Sequence, residues 1–468
     1  MSLILRPYQS KIIEDARDLM KRGCKRFLIV SPTGSGKTAL TTQMLLNAKQ
    51  KGFNSQFLVH RRELIKQSSE AFAKADVQHG IIASGFFEEY HKQIQIASVQ
   101  TLGRRLHKVP HPKFVVYDEA HHISAGTWDK IYKHYPNAFH VGLTATPCRL
   151  DGKGLNKHFD EIVMGPETEW LIENKYLSPY KLFAPSSINR QAMRKQMGDF
   201  KTTDSEALVD KKSITGSAID EYLKVCAGKR AIVFCTTIKH SKHVVEQFRS
   251  KGINAVHLDA ETPMADRDRT LNEFKAGQIK ILSNVNLFSE GFDVPGLDAV
   301  ILLRPTMSLG MYKQQVGRVL RISPGKECAY ILDHVGNVLE HGLPDEVIEW
   351  SLDGMKRGKK QGDEDDGPAV VTCDNCFLAM PAHFFKCPEC GHMRKKQVRA
   401  EIEQVAGKLE EVDKVALRKQ RMREQAACET QDDLVEYGKQ RGMKHPRGWA
   451  AHIWRARQVK KLKGGGRR

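Results

Sequence analysis

No run of apolar residues in this 468-residue chain approaches the ~20 that a membrane-spanning helix needs. Apolar runs such as Phe27–Val30 and Ala299–Leu303 are four and five residues long, and the mean hydropathy is −0.46. The first residues, Met1-Ser2-Leu3-Ile4-Leu5-Arg6-Pro7, lack a basic region leading into an apolar stretch, so no export signal is expected and the reading is cytoplasmic. Acidic residues are short as well: 55 against 74 Lys plus Arg, a formal net charge of +19. That excess suits a polyanionic partner, and with membrane insertion set aside nucleic acid is favoured. Hydrophobic residues, at 40%, fall a little below the usual ~45–50%, yet suffice for sizeable cores. No fixed-period repeat is present. The ten cysteines form no evenly spaced framework: six are scattered singly, while Cys373, Cys376, Cys387 and Cys390 stand as two close pairs. That is the arithmetic of a metal site in a reducing compartment, not of disulfides.

What is there alternates. Strand-like runs at Arg26–Val30, Gln56–His60, Ile94–Ser98, Phe114–Tyr117 and His140–Leu143 are separated by helix-patterned stretches. A second series follows at Ala231–Cys235, Ala255–Leu258, Ile279–Ser283, Ala299–Leu303 and Glu327–Leu332. Such alternation predicts an α/β fold with two tandem parallel-sheet domains. The expected division is 1–165 and 216–350 for the two domains, a polar connector over 166–215, and a charged linker over 351–370. A cysteine-rich unit over 371–394 and a helical basic tail over 395–468 complete it. In the tail, Val398, Ile402, Val405, Leu409 and Val412 recur at helical spacing, favouring a helical hairpin within the chain over a coiled coil. Residues 441–468 hold ten Lys/Arg and no acid, and the Gly-Gly-Gly-Arg-Arg tip reads as disordered.

The sharpest chemical signal is Ser31-Pro32-Thr33-Gly34-Ser35-Gly36-Lys37-Thr38, placed after a strand and opening a helix. A turn built this way, through Thr33, Gly34, Ser35 and Gly36, aims backbone N–H groups at a phosphate, aided by the helix N-terminus. Lys37 would reach the β/γ-phosphates of ATP and Thr38 would bind Mg²⁺. Ser31 departs from the P-loop pattern, which has Gly there. Further on, Phe114-Val115-Val116-Tyr117 ends in Asp118 and Glu119. An Asp at such a strand end holds Mg²⁺, and the adjacent Glu is placed to orient and deprotonate a water.

With Asp118-Glu119-Ala120-His121 read as a DEAH box, the chain over about residues 1–350 resembles a superfamily-two helicase with two RecA-like domains. The resemblance is carried by Leu5-Arg6-Pro7-Tyr8-Gln9 (the adenine-reading motif), Leu58–Leu64 (motif Ia), Ser98-Val99-Gln100-Thr101 (Ib) and Leu143-Thr144-Ala145-Thr146-Pro147 (III). It continues through Ile232–Cys235 (IV), Glu290–Pro295 (V) and Gln314–Arg321 (VI), all in family order. It implies that Gln9 contacts adenine, that Gly291 and Asp293 serve the nucleotide, and that Arg318 and Arg321 enter the site as arginine fingers from the second domain. His121, Thr144, Thr146 and Gln314 would couple hydrolysis to movement. Arg61, Arg62, Gln100, Thr101 and Thr236 would grip a nucleic-acid strand. The Thr-Ala-Thr of motif III and the Arg-Pro-Tyr-Gln start resemble DNA-directed enzymes more than RNA-directed ones.

Cys373-x-x-Cys376, ten residues, then Cys387-x-x-Cys390 has the spacing of a zinc ribbon. About twenty residues cannot fold on an apolar core, so the metal would supply the folding energy. The unit is either a structural knuckle or a DNA clamp. In the tail, Trp449 and Trp454 interleave with Arg455 and Arg457, a pattern suited to stacking on bases and neutralising phosphates, or alternatively to packing on the preceding helix. This tail resembles those of helicases from tailed phages and prophages. The expectation is an ATP-dependent DNA helicase or translocase acting on single-stranded or branched DNA in replication, recombination or repair. It would use ATP, Mg²⁺ and Zn²⁺, with replication or recombination proteins docking on ribbon or tail. The rivals are an RNA helicase and a DNA-bound recruitment factor whose motor is incidental.

Overall fold

The computed structural model describes residues 3–148, 154–185, 195–196, 199–200, 212–288, 296–353, 370–373, 375–381 and 384–393. In the C-terminal part it describes 424–425, 427–428, 430–440, 450, 453–454 and 457. The chain divides into two compact units, 1–395 and 396–468.

The first unit opens on a seven-stranded, wholly parallel sheet: β1 (Arg26–Val30), β2 (Ser55–Val59), β3 (Gly80–Ile82), β4 (Ile94–Ser98), β5 (Phe114–Asp118), β6 (Phe139–Thr144) and β7 (Glu161–Met164). Their spatial order is β3-β4-β2-β5-β6-β1-β7. Both faces are covered, which is why the strands are mainly apolar rather than strictly alternating. Phe27, Ile29, Phe57, Val59, Val116, Val141 and Leu143 face the helices Pro7–Lys21, Lys37–Gln50 and Arg62–Lys74. Leu28, Val30, Leu58, Val115 and Tyr117 face Val99–Arg105 and Gly126–His134. The period-two alternation of a strand thus feeds two separate cores.

The second sheet is also wholly parallel. It holds β8 (Tyr180–Phe183) and, beyond the short antiparallel pair β9 (Lys195–Gln196) and β10 (Asp199–Phe200), the strands β11 (Ala231–Cys235), β12 (Ala255–Leu258), β13 (Ile281–Asn284), β14 (Ala299–Leu303) and β15 (Ala329–Asp333). The order is β12-β13-β11-β14-β15-β8.

The connector expected over 166–215 needs correction, because its residues Tyr180–Phe183 are the edge strand of the second sheet, paired with β15. A four-residue edge strand carrying a lysine has too little apolar pattern to betray itself. The linker expected from 351 is likewise partly structured. Leu155 and Asn156 donate their backbone N–H groups to the Leu352 carbonyl, and Trp350 and Leu352 pack on the first domain's second core. The chain therefore runs from first domain to second and back.

The cysteine-rich unit contributes a hairpin, β16 (Val370–Thr372) and β17 (Ala379–Pro381). It sits at the carboxyl end of β8: Leu378 bridges to Phe183, Ala184 donates to the Phe377 carbonyl at 2.9 Å, and Lys181 pairs with Glu389. In the second unit the helix Gln431–Gln440 is described, with Leu434 buried. The helical stripe expected over 398–412, the glycine-rich tip, Trp449, Arg455, Gly291 and Asp293 lie outside the described residues.

Candidate active site

The phosphate-type loop starts where β1 ends. Ser31 donates its N–H to the Thr144 carbonyl of β6, so the loop leaves the sheet in a fixed direction. Gly34 and Gly36 have φ of 89° and 81°, a region open to glycine and costly to other residues. Ser31, the departure from pattern, has a structural purpose. Its hydroxyl donates to Ser35 Oγ at 2.7 Å, and Ser35 Oγ donates to the Pro32 carbonyl at 2.7 Å, closing the loop from inside. The space for it comes from Gly165, where any Cβ would lie 2.9 Å from Ser31 Oγ.

The loop is also braced from the helix Pro7–Lys21. Gln9 is buried; its Oε1 accepts from the Arg6 N–H, and its Nε2 donates to the carbonyls of Ser35 and Gly36 at 3.0 and 3.3 Å. Tyr8 Oη donates to the same Ser35 carbonyl at 2.7 Å. Lys37 Nζ folds back on the carbonyls of Ser31 and Pro32 at 3.1 and 3.4 Å. Burial pushes its ammonium below the usual value, with Glu119 and Asp118 pulling the other way. Thr38 is exposed beside it.

Two strands away, β5 ends at the half-buried Asp118, and Glu119 follows with φ of 48°. A glutamate in the left-handed region costs about 1–3 kcal/mol and persists where the surroundings demand it. Here the turn aims the buried carboxylate into the cleft. Gln314 of the helix Leu309–Val319, from the second domain, donates to Glu119 Oε2 at 3.4 Å. On the other side Oε2 meets His121 Nδ1 at 3.4 Å. His121 Nδ1 also lies 3.2 Å from Thr144 Oγ1. That hydroxyl's proton goes to the Thr146 carbonyl while it accepts the Thr146 N–H, so Nδ1 is the donor to it. A continuous line of contacts thus crosses from Gln314 through Glu119 and His121 to Thr144 and Thr146.

The second domain closes on the loop. Gly317 packs so tightly on Thr33 that a Cβ there would sit 2.5 Å from Thr33 Cβ, and Arg321 Cγ lies 3.2 Å from where Gly34 would carry one. Arg318 is buried. Burial lowers the Arg321 guanidinium to about 10. The cleft therefore gathers Gln9, Thr33, Gly34, Lys37, Glu119, Gln314 and Arg321 around one loop.

Sequence reasoning missed Lys326. Its Nζ donates to the carbonyls of Leu297 at 2.7 Å, Arg321 at 3.0 Å and Val319, tying the end of the helix that carries Arg318 to the turn that carries Arg321. A lysine in a Ser-Pro-Gly-Lys turn reads as solvated surface, so no local signal marks it.

The residues expected to meet nucleic acid are differently placed. Arg61 donates to the carbonyls of Asn286 and Leu287 across the cleft, at 3.2 and 2.7 Å. Arg62 lies over the Phe86 ring, 5.7 Å from its centre. Gln100 is exposed, accepting from Ser98 Oγ at 3.1 Å, and Thr101 is half-buried. Thr236 is buried and donates to the Leu303 carbonyl at 3.3 Å. In the second unit Trp454 is half-buried, and Arg457 donates to the carbonyls of Cys428, at 2.6 Å, and Gln425.

The four paired cysteines converge, their sulfurs all within 4.8 Å of one another. Cys373 and Cys390 are 3.7 Å apart, Cys376 and Cys387 3.5 Å. A thiolate tetrahedron with metal–sulfur bonds of about 2.3 Å has edges of about 3.8 Å, so the donor set fits zinc.

Comparison with known proteins gives the family. Residues 2–149 match the family described as type III restriction enzyme, res subunit, and residues 216–323 match the helicase conserved C-terminal domain. A 51.5 kDa protein of a Lactococcus phage is 35% identical over 83% of this chain and 82% of its own length. A Saccharomyces cerevisiae protein named as the ATP-dependent helicase IRC3 is 29% identical over 71% of this chain, which spans only 52% of it. The DNA 3′-5′ translocase XPB2 of Sulfurisphaera tokodaii is 24% identical over 68% of this chain and 78% of its own. In fold, the chain is similar to the ATP-dependent type ISP restriction-modification enzyme LlaBIII bound to DNA. The TM-score is 0.53 at 20% identity, covering 70% of this chain and 27% of that one. The chain belongs to the superfamily-two helicases. It is an ATP-hydrolysing enzyme of that class.

Proposed function

We propose that this helicase, of the DEAH-box type, works on DNA, coupling ATP hydrolysis to movement along or separation of strands in replication, recombination or repair. The observation that carries the reading is the line from Gln314 to Glu119, His121, Thr144 and Thr146, which makes the catalytic carboxylate part of the contact between the two domains. In this reading Glu119 orients and deprotonates the attacking water. Lys37 and the loop amides hold the phosphates, and Arg318 and Arg321 meet the charge that grows on the transferring phosphoryl group. Such fingers contribute ~10³–10⁵ in rate. Thr38 and Asp118 would hold Mg²⁺, which neutralises charge on the phosphates when bound. Gln9 would hold the loop for the adenine end of the nucleotide. Closing on ATP and opening after hydrolysis then becomes a stepping cycle.

DNA is favoured by the +19 net charge, by the DNA translocase among the relatives, and by the Thr-Ala-Thr of motif III. The four cysteines would bind Zn²⁺, which supplies folding energy for the hairpin that carries them. Steady-state ATP hydrolysis measured alone and with single-stranded DNA, forked DNA or structured RNA tests the reading. Strong stimulation by DNA, abolished in Glu119→Gln, is expected. Stimulation by RNA alone would transfer the enzyme to RNA.

A further inference from the structure

The two cysteine turns are built alike. In the first, Phe377 N–H donates to the Cys373 carbonyl at 2.9 Å and Cys373 N–H to the Leu378 carbonyl at 2.9 Å. In the second, Gly391 donates to Cys387 at 3.0 Å and Cys387 to His392 at 2.9 Å. The residue after the second cysteine is left-handed in both, with φ of 61° at Phe377 and 70° at Gly391. The second turn uses the residue that this backbone prefers. The first uses a phenylalanine, for which the left-handed region is an outlier. The ring is not fully buried in exchange, since Phe377 is 40% exposed.

Phe384 and Phe385, on the same small unit, are 42% and 50% exposed. The sequence around them is basic: Lys386, Arg394, Lys395, Lys396 and Arg399 against Glu389 alone between 384 and 399, and Glu389 is already paired with Lys181. Part-exposed rings beside a basic stretch of sequence are what a strand of unpaired bases needs, rings to stack on and charge for its phosphates.

From this we propose that Phe377, Phe384 and Phe385 form a stacking platform for unpaired DNA bases, with Phe377 held outward by its strained turn. The proposal rests on the DNA reading above. The platform is fixed to the motor by the backbone. Phe377 accepts from Ala184 at the end of β8, while Ser178, two residues before β8, donates to the Leu320 carbonyl, and Leu177 bridges to Arg321. One short strand thus joins the phenylalanines to the arginine turn.

The test uses the full chain, as wild type, Phe377→Gly, Phe377→Trp and the double variant Phe384→Ala/Phe385→Ala. Zinc content, ATP hydrolysis without nucleic acid and the Kd for fluorescent oligo-dT over a salt series are measured for each. Phe377→Gly relaxes the turn, so zinc content and basal hydrolysis are expected to hold. Its Kd for oligo-dT is expected to rise roughly fivefold or more, with the salt slope unchanged because no phosphate contact is lost. Phe377→Trp should restore affinity, and the double variant should weaken it. Oligo-dT affinity unchanged in Phe377→Gly and in the double variant, in a wild type that binds oligo-dT and is stimulated by it, overturns the platform and leaves the DNA reading intact. A wild type neither bound nor stimulated by DNA overturns both. Loss of zinc in Phe377→Gly overturns the premise that the ring is dispensable for the turn.

Discussion

The two parallel sheets of the motor share a plan and divide the chemistry unevenly. At its carboxyl rim the first presents backbone amides, a lysine and two carboxylates, with the glutamate forced into a left-handed turn. The second presents guanidiniums pressed into a cleft that lowers at least one of them, its turn tied by a lysine to three carbonyls. In the mechanism proposed above, one half would prepare the nucleophile and grip the phosphates, and the other half would answer the charge that develops later. Neither is an active site alone, so hydrolysis can report on closure.

The largest effects should come from cutting either side. Arg321→Ala is expected to lower kcat roughly 10³-fold or more, and Glu119→Gln roughly 10²–10⁴-fold. Nucleotide binding should survive Glu119→Gln, checked by fluorescent nucleotide titration beside steady-state kinetics. Equal KM with lost kcat in both variants would support the division of labour. Next, Lys326→Met should loosen the arginine turn without touching the first sheet. Misplacement of a reacting group by about 1 Å costs on the order of 10² in rate, so a kcat loss of that size with a small change in KM is expected. An unchanged kcat would remove Lys326 from the account.

Acid should then test the two sheets together. Burial lowers His140, on β6, to about 4, an effect that the Tyr135 carbonyl opposes and Arg26 and His158 reinforce. Burial lowers His334, just after β15, to about 4 as well. Below about pH 6.5 the unfolded chain takes up protons that these folded histidines refuse, so stability is full above pH 6.5 and falls as pH drops toward 4. Each contributes up to roughly 3 kcal/mol. Urea unfolding at pH 7 and pH 5 reads the loss, and His140→Gln should make it smaller. The smallest effect is expected from Ser31→Gly, which restores the common loop pattern but removes one internal hydrogen bond worth about 1 kcal/mol. A several-fold rise in KM for ATP with kcat unchanged is the expected result.

Strands buried on both faces were legible to the residue, as at β1, β4, β11 and β14, because their runs are wholly or mainly apolar. The positions of the loop at Lys37 after β1 and of Asp118–Glu119 at the end of β5 were legible, because few residue types stand at such strand ends at that spacing. β8 was not, being short, polar in part and defined by its neighbour β15 rather than by itself. Three-dimensional bargains were equally hidden: Gly165 making room for Ser31, the left-handed Glu119, and Lys326 reaching carbonyls of two separate segments. Arg61, expected from the sequence to grip a strand, spans to the second domain here, a contact the sequence did not announce, since an arginine at a sheet rim reaches whichever carbonyls face it.

The return of residues 350–352 to the first domain alters what the motor can do mechanically. A single tether would leave the second domain free to swivel about it as well as to swing. Two crossings of the polypeptide act as the two pins of a door hinge, resisting twist and sideways slip while leaving a swing about the line between them. In the closing cycle proposed above, the arginine turn would then return to the same loop along nearly the same arc.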